Sequence, residues 1–381
     1  MVGARTRDRV GAQADAFMFI IVGVLTTFGL VTIWSADGAG PITLGSNVAR
    51  QAIYAVAGII GMVALASMNY RFLKSFAIPI YIAVLASMAS LYAIGTTIGG
   101  STRWIVFGPF SFQPSEFAKL GVLIALAAFL SDRHDQMQRF YNFLLSGVIA
   151  GVPFIMVFVQ PDLGTSGVLA AIWIAVVAVS RTKMLYVVAT VLAAIPAALI
   201  SWRYVFHDYQ RDRLMVSYDP HRDYFGQGFN IVQAHVTIGT SGWFGHGLSG
   251  GLQAEYEFLR VSTTDFIFAH AMSMFGFTGG IALFAAFIIL FLRMTRAALQ
   301  SRDTFGQYLA VGITAMIAFQ TFVNIGMNLG LMPVTGIPLP FISLGGTALV
   351  TNLLAIGILQ SIIINRHALA FQAHSPSQRR T

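Results

Sequence analysis

The sequence predicts an all-α polytopic membrane protein of about ten transmembrane helices, and three observations predict it. The chain is 56% hydrophobic and 10% charged, with a mean hydropathy of +0.73, whereas a soluble domain carries about 25% charged residues. Its apolar residues fall in runs of about 17 to 25, the length that crosses a bilayer core as a helix. Its 23 Lys and Arg residues are distributed unevenly between the two sides, the bias that orients membrane proteins. That bias accounts for the net charge of +8 and the pI near 9.9 without any nucleic-acid partner. The absence of cysteine excludes disulfides, thiol catalysis and cysteine metal sites.

In chain order the spans are predicted at roughly 16–35, 52–68, 75–97, 110–131, 142–159, 163–180, 184–201, 265–292, 307–330 and 345–364. Arg5, Arg7 and Arg9 precede the first, which is long and lacks a small-x-small cleavage site, so it reads as a retained span and not a signal peptide. An even number of spans puts both termini on one side. That side holds fifteen of the Lys and Arg residues and the other side seven, with Lys119 inside a span. The termini are therefore expected in the cytoplasm. Residues 202–264 become a large extracytoplasmic loop between spans seven and eight, and 366–381 a short cytoplasmic tail. The whole of 1–381 reads as a single integral membrane domain.

The chemistry is expected where polar residues interrupt the apolar runs. Asp265 lies where the long loop meets span eight, after Thr263 and Thr264. It is placed either to cap that helix or to act on something arriving along the membrane surface. After Lys119 too few apolar residues remain before Asp132 to cross, so Glu116 and Lys119 must lie inside span four. At i and i+3 they share a helix face and pair, either to neutralise each other or because the site uses them. Arg103 beside Trp104 is an interfacial anchor or a phosphate contact. In Gln160-Pro161-Asp162, Pro161 stops one helix and Asp162 caps the next.

In the long loop, Tyr209-Gln210-Arg211-Asp212-Arg213 is charged, while Gly226–Gly239, which includes Gln233, reads as a short helix lying on or dipping into the membrane. Its expected apolar face is Val232, Val236 and Gly239. His207, His221, His235 and His246 have no zinc spacing. The stretch 332–347, with three prolines and Ser343 near its end, forbids a regular helix yet is too apolar for a solvated loop. Such backbone is tolerated at membrane depth where it lines a cavity or is buried in protein. Four irregular segments, carrying Arg103, Asp162, Asp265 and Ser343, thus open on one side.

Five of these pieces resemble the SEDS family of cell-wall polymerases, the RodA and FtsW group. They are Gly100-Ser101-Thr102-Arg103-Trp104, Gln113-Pro114-Ser115-Glu116, Gln160-Pro161-Asp162-Leu163-Gly164-Thr165, Thr264-Asp265-Phe266-Ile267-Phe268-Ala269 and Pro338-Leu339-Pro340-Phe341-Ile342-Ser343-Leu344-Gly345-Gly346. They stand in the family's order and on the matching spans. The resemblance implies a peptidoglycan glycosyltransferase of the bacterial cytoplasmic membrane. It would polymerise lipid II in company with a class B penicillin-binding protein. It also implies that Asp265 is the essential outer aspartate, that Glu116 and Lys119 are an ion pair needed for activity, and that Asp162 is another important acid. The chain departs from the family around Asp265. The usual Glu and His before it are replaced by Leu259-Arg260-Val261-Ser262-Thr263-Thr264, and the usual acidic pair after it by Ser273-Met274-Phe275-Gly276.

The reaction expected of such a site joins a sugar 4-hydroxyl to an anomeric carbon and displaces a lipid pyrophosphate. A positioned carboxylate, Asp265, would take the proton. Cations would stabilise the leaving group, and Arg103, Arg211 and Arg213 are within reach of it. Glu116, Lys119, Asp162, Gln233 and Ser343 complete the expected substrate-facing set. A divalent cation, Mg or Mn, bridging Asp265 and the pyrophosphate is compatible with this chemistry. Single displacement inverts the anomeric centre. Two other functions fit a broken-helix bundle: a flippase for the lipid-linked precursor, and a non-catalytic scaffold for the penicillin-binding protein.

Overall fold

Ten apolar helices in series make up the bulk of the structure. A computed structural model describes residues 14–43, 45–98, 101–108, 110–204, 206, 208–223, 226–249 and 262–365. The apolar helices are α1 (Ala16–Ala36), α2 (Asn47–Ser67), α3 (Ala77–Ile94), α4 (Pro114–Asp132), α5 (Phe140–Val159), α6 (Leu163–Val179) and α7 (Met184–Tyr204). After the long loop follow α10 (Ile267–Gln300), α11 (Thr304–Asn328) and α12 (Gly346–Asn365), with α8 (Asp208–Tyr218) and α9 (Gln227–Thr240) inside that loop. Among the described residues nine helices are long and apolar enough to cross a membrane; α6, with 17 residues, is the tenth and shortest. This is the predicted polytopic all-α architecture. The tail 366–381 lies outside the described residues.

The centre is α4 and α12, whose apolar stretches are 78% and 83% buried. Helix α12 packs along α2, and α4 is surrounded by α3, α5, α6, α11 and α12. Helix α7 is at the other extreme, 6% buried, with Val187 its one buried residue. The first and last helices meet at one end of the bundle. Asp15 caps α1 through Met18 N, exchanges two backbone bonds with the Gln360 amide, and receives Arg293 Nε and Nη2, each at 2.7 Å. At that same end Asp303 caps α11 and accepts from Tyr70 Oη (2.8 Å) and Arg71 Nε (2.9 Å).

The structure adds strands to a prediction that had none. Residues 96–112 form an antiparallel meander, β1 (Thr96–Ile98), β2 (Ser101–Phe107) and β3 (Phe110–Phe112). Thr96, Thr97, Ile98, Trp104, Ile105, Val106 and Phe107 are the β-branched and aromatic types that fit a pleated surface. Gly108, at φ +58, lies between β2 and β3, where the chain doubles back.

The long loop also carries more structure than expected. Helix α8 was not anticipated, because its sequence is charged and lacks an apolar stripe. Helix α9 falls where a short helix was predicted, but on a different face. Gly228, Ile231, Ala234 and Thr237 are buried, while Val236 and Gly239 are exposed. Ile231 and Ala234 cluster with Val216 of α8, Phe266, Ala269, Met327 and Val334, so α9 packs on protein at the head of α10. Small side chains allowed that approach, which hydrophobicity alone does not reveal.

Candidate active site

Asp265 lies in the turn 262–266 that leads into α10, and it is partly exposed. Helix α10 starts at Ile267 with Phe266 at its cap position and no side-chain cap bond. Asp265 is therefore one residue outside the cap. One of the first-turn donors, Ala269 N, goes instead to Asn328 Oδ1 of α11 (3.2 Å). The backbone around Asp265 is held carbonyl by carbonyl. Thr263 O accepts from Leu344 N (2.8 Å), and Thr264 O from Ser343 Oγ (2.8 Å). Asp265 O accepts from Asn328 Nδ2 (3.0 Å) and Asn324 Nδ2 (3.3 Å).

The segment that does part of this holding, 337–345, is itself pinned. Gln51 of α2 donates to Ser343 O (3.0 Å) and accepts from Gly345 N (3.2 Å). Gly29 of α1 lets Ile342 come close, since a Cβ there would stand 2.6 Å from Ile342 Cα. Phe341 adopts φ +68, a conformation a bulky side chain takes only when its surroundings impose it.

From Ser343 the connections run on to the other segments. Thr347 Oγ1 donates to Ser111 O (3.2 Å) and accepts from Gln113 N (3.3 Å). Gln113 Nε2 reaches Asp162 Oδ2 (3.4 Å). Asp162, buried, caps α6 through Thr165 N (3.0 Å) and takes the Thr165 hydroxyl (3.0 Å). Arg103 Nη1 lies 3.4 Å from Asp162, and its Nη2 donates to Pro161 O (2.8 Å). All four irregular segments thus belong to one hydrogen-bonded floor at the bundle end opposite the chain termini.

The predicted residues fare differently within it. Glu116 and Lys119 pair at 2.7 Å and are both buried, in the first turn and a half of α4. Ser343 has its hydroxyl engaged within the protein, accepting from Leu339 N (2.8 Å) and donating to Thr264 O (2.8 Å). Arg103 is an ion-pair partner first, though its Nε is buried without a hydrogen-bond partner among the described residues. Arg211 turns to its own neighbourhood, donating to Arg203 O (3.1 Å) and Asp208 (3.5 Å). The side chain of Arg213 lies outside the described residues, as do Leu259, Arg260 and Val261. Gln233 is partly buried, one position from Ala234 in the cluster beside Phe266. Asn324, Asn328, Gln51 and Gln113 were missed. Gln320, Asn324 and Asn328 recur at i, i+4 and i+8 in an apolar span, and that amide stripe was the available signal.

No group of three or more His, Asp or Glu residues suited to a metal occurs among the described residues. At the turn, the Asp265 carboxylate could contribute an oxygen ligand to a divalent cation.

Comparison with known proteins finds relatives along nearly the whole chain. Residues 15–368 match the FtsW/RodA/SpoVE family, described as cell cycle proteins. The chain is 33% identical over 356 residues to the peptidoglycan glycosyltransferase MrdB of Escherichia coli K12, covering 93% of this chain and 95% of that protein. It is 32% identical over 355 residues to a probable peptidoglycan glycosyltransferase FtsW of Geobacter sp. strain M18, covering 91% and 96%. Among solved structures, a chain of a peptidoglycan synthase complex that coordinates polymerization and crosslinking superposes with TM-score 0.79 at 30% identity, covering 93% of this chain and 99% of that one. The rod shape determining protein RodA of Thermus thermophilus superposes with TM-score 0.70 at 26% identity, covering 93% and 98%.

Proposed function

The chain belongs to the FtsW/RodA/SpoVE family of cell cycle proteins, and from that membership we propose that it is a peptidoglycan glycosyltransferase. Its substrate is lipid II, which it polymerises at the outer face of the bacterial cytoplasmic membrane with Asp265 as general base. What carries the reading is the hydrogen-bonded floor that joins Arg103, Asp162, Ser343 and the turn bearing Asp265 at one bundle end. A flippase or a scaffold does not need a carboxylate held at the rim of such a floor.

In the reaction a sugar 4-hydroxyl oxygen forms the bond to the anomeric carbon of the growing chain. The bond from that carbon to the lipid pyrophosphate breaks, and the hydroxyl proton passes to the Asp265 carboxylate. A carboxylate positioned at that hydroxyl is the group suited to take its proton. Attack opposite the leaving group inverts the anomeric centre. The anionic leaving group needs positive charge. Arg103, held in the floor by Asp162 and Pro161 O, is the cation that would face it. Asp265 would hold a divalent cation if one binds, and the ion would supply charge neutralisation at the leaving group. The partner is a class B penicillin-binding protein, supported by the likeness to a synthase complex that couples polymerization to crosslinking.

The test is Asp265→Asn in protein purified with its partner. Loss of a general base typically lowers the rate about 10² to 10⁴-fold. Asn keeps the shape, so folding and partner binding should persist while lipid II polymerisation collapses. An Asp265→Asn protein polymerising at the parent rate removes the base assignment. A parent that never polymerises with its partner removes the enzyme.

A further inference from the structure

The turn that carries Asp265 is fastened by two amides of α11, and their arrangement exceeds what the helix end needs. Asn324 and Asn328 are one helical turn apart on the same face of α11, and both are 0% exposed. Asn328 uses its whole side chain. Nδ2 donates to Asp265 O (3.0 Å) and to Asn324 O (2.9 Å), while Oδ1 accepts from Ala269 N (3.2 Å). The opposite amide orientation would set an N–H against the Ala269 N–H, so the partners fix which atom is nitrogen. Asn324 Nδ2 donates to Asp265 O (3.3 Å) and to Ile337 O (2.8 Å), both carbonyls, which again requires the nitrogen there.

Capping α10 would need only the bond to Ala269. Two donors converging on one carbonyl oxygen, that of the proposed base, is a different arrangement. Holding the residue through its carbonyl fixes the Cα and the direction in which the side chain leaves. The anchor is also the last turn of a 25-residue helix and not a loop, which suits a placement needed to within about 0.5 Å.

Resting on the glycosyltransferase reading, we propose that Asn324 and Asn328 are positioning residues that set the Asp265 carboxylate for proton abstraction through its backbone carbonyl. The test measures lipid II polymerisation by the intact protein with its partner, with rates taken per monodisperse molecule. Asn328→Ala and Asn324→Ala, two independent variants, should each lower kcat by about 10 to 10²-fold with KM held within about twofold, the signature of a displaced catalytic group. In an Asp265→Glu background the carboxylate already sits a methylene away, so adding Asn328→Ala should cost under about twofold. Melting temperatures that fall while kcat per folded molecule holds would reduce both amides to structure and overturn the proposal. So would a rise in KM alone, or losses that multiply fully in the Asp265→Glu background. Failure of the wider reading looks different: the parent does not polymerise, or Asp265→Asn retains the parent rate.

Discussion

Lys119 and Glu116 bring two opposite charges into the interior of the bundle, where side-chain exposure is 2% and 4% and their separation is 2.7 Å. In low dielectric the pair is tolerable only as a pair, because either charge alone carries its full desolvation penalty. Glu116→Ala and Lys119→Ala are each expected to destabilise the protein by about 3–5 kcal/mol, read as a lower melting temperature in detergent and reduced recovery of monodisperse protein. Glu116→Gln combined with Lys119→Met should be milder than the sum of the two alanine effects, since no uncompensated charge is left. Strict additivity would show that the partnership seen at 2.7 Å contributes nothing.

At the level of elements, α10 depends on a break. Gly276 adopts φ 66 and ψ −164, which is not helical, and divides the 34-residue α10 within its run. The backbone groups freed by the break are taken up by the loop after α9. Phe277 N donates to Gly242 O (2.9 Å), Thr278 N to Trp243 O (3.1 Å), and His246 N to Ser273 O (2.8 Å). This is how a broken helix survives without water, with protein backbone replacing the lost helical partners. A Cβ at Gly276 would meet Gly245 N at 2.3 Å. Gly276→Ala is therefore expected to lower the melting temperature sharply, with about 1–3 kcal/mol from backbone strain and more from the clash. Gly239→Ala is the control. That position is exposed and helical with open space around a Cβ, so alanine should leave stability unchanged or raise it by up to about 1 kcal/mol. Equal effects at the two sites would mean that the break is not needed.

For the molecule as a whole, orientation follows from charge. Fifteen Lys and Arg residues lie on the side of the termini and seven on the other, and the side with the excess is expected to stay in the cytoplasm. The bonds among Asp15, Arg293 and Gln360 place both ends of the described chain together, in keeping with an even number of crossings. A reporter fused after Arg380 is expected to behave as cytoplasmic, and one inserted near Asp223 as external. The reverse pattern would put Asp265 on the side away from the proposed reaction.

The spans were legible because membrane crossing is a one-dimensional constraint. A run of apolar residues must be long enough and free of charge, and both properties are written consecutively along the chain. The pairing of Glu116 with Lys119 was legible for a similar reason, since helical periodicity alone puts i and i+3 on one face. The polar interruptions at Arg103, Asp162, Asp265 and Ser343 marked the site, because such residues are costly beside lipid. Their roles were decided in three dimensions. Nothing local says that Ser343 spends its hydroxyl on Leu339 N and Thr264 O, or that Arg103 rests on Asp162. The same holds for the buried face of α9 and for the hold of Asn324 and Asn328 on Asp265, which join α11 to the turn across 59 and 63 positions of sequence. Sequence spacing predicts contacts only within one element. Which donor satisfies which buried carbonyl depends on where separate helices come to rest, and that is a property of the packed bundle alone.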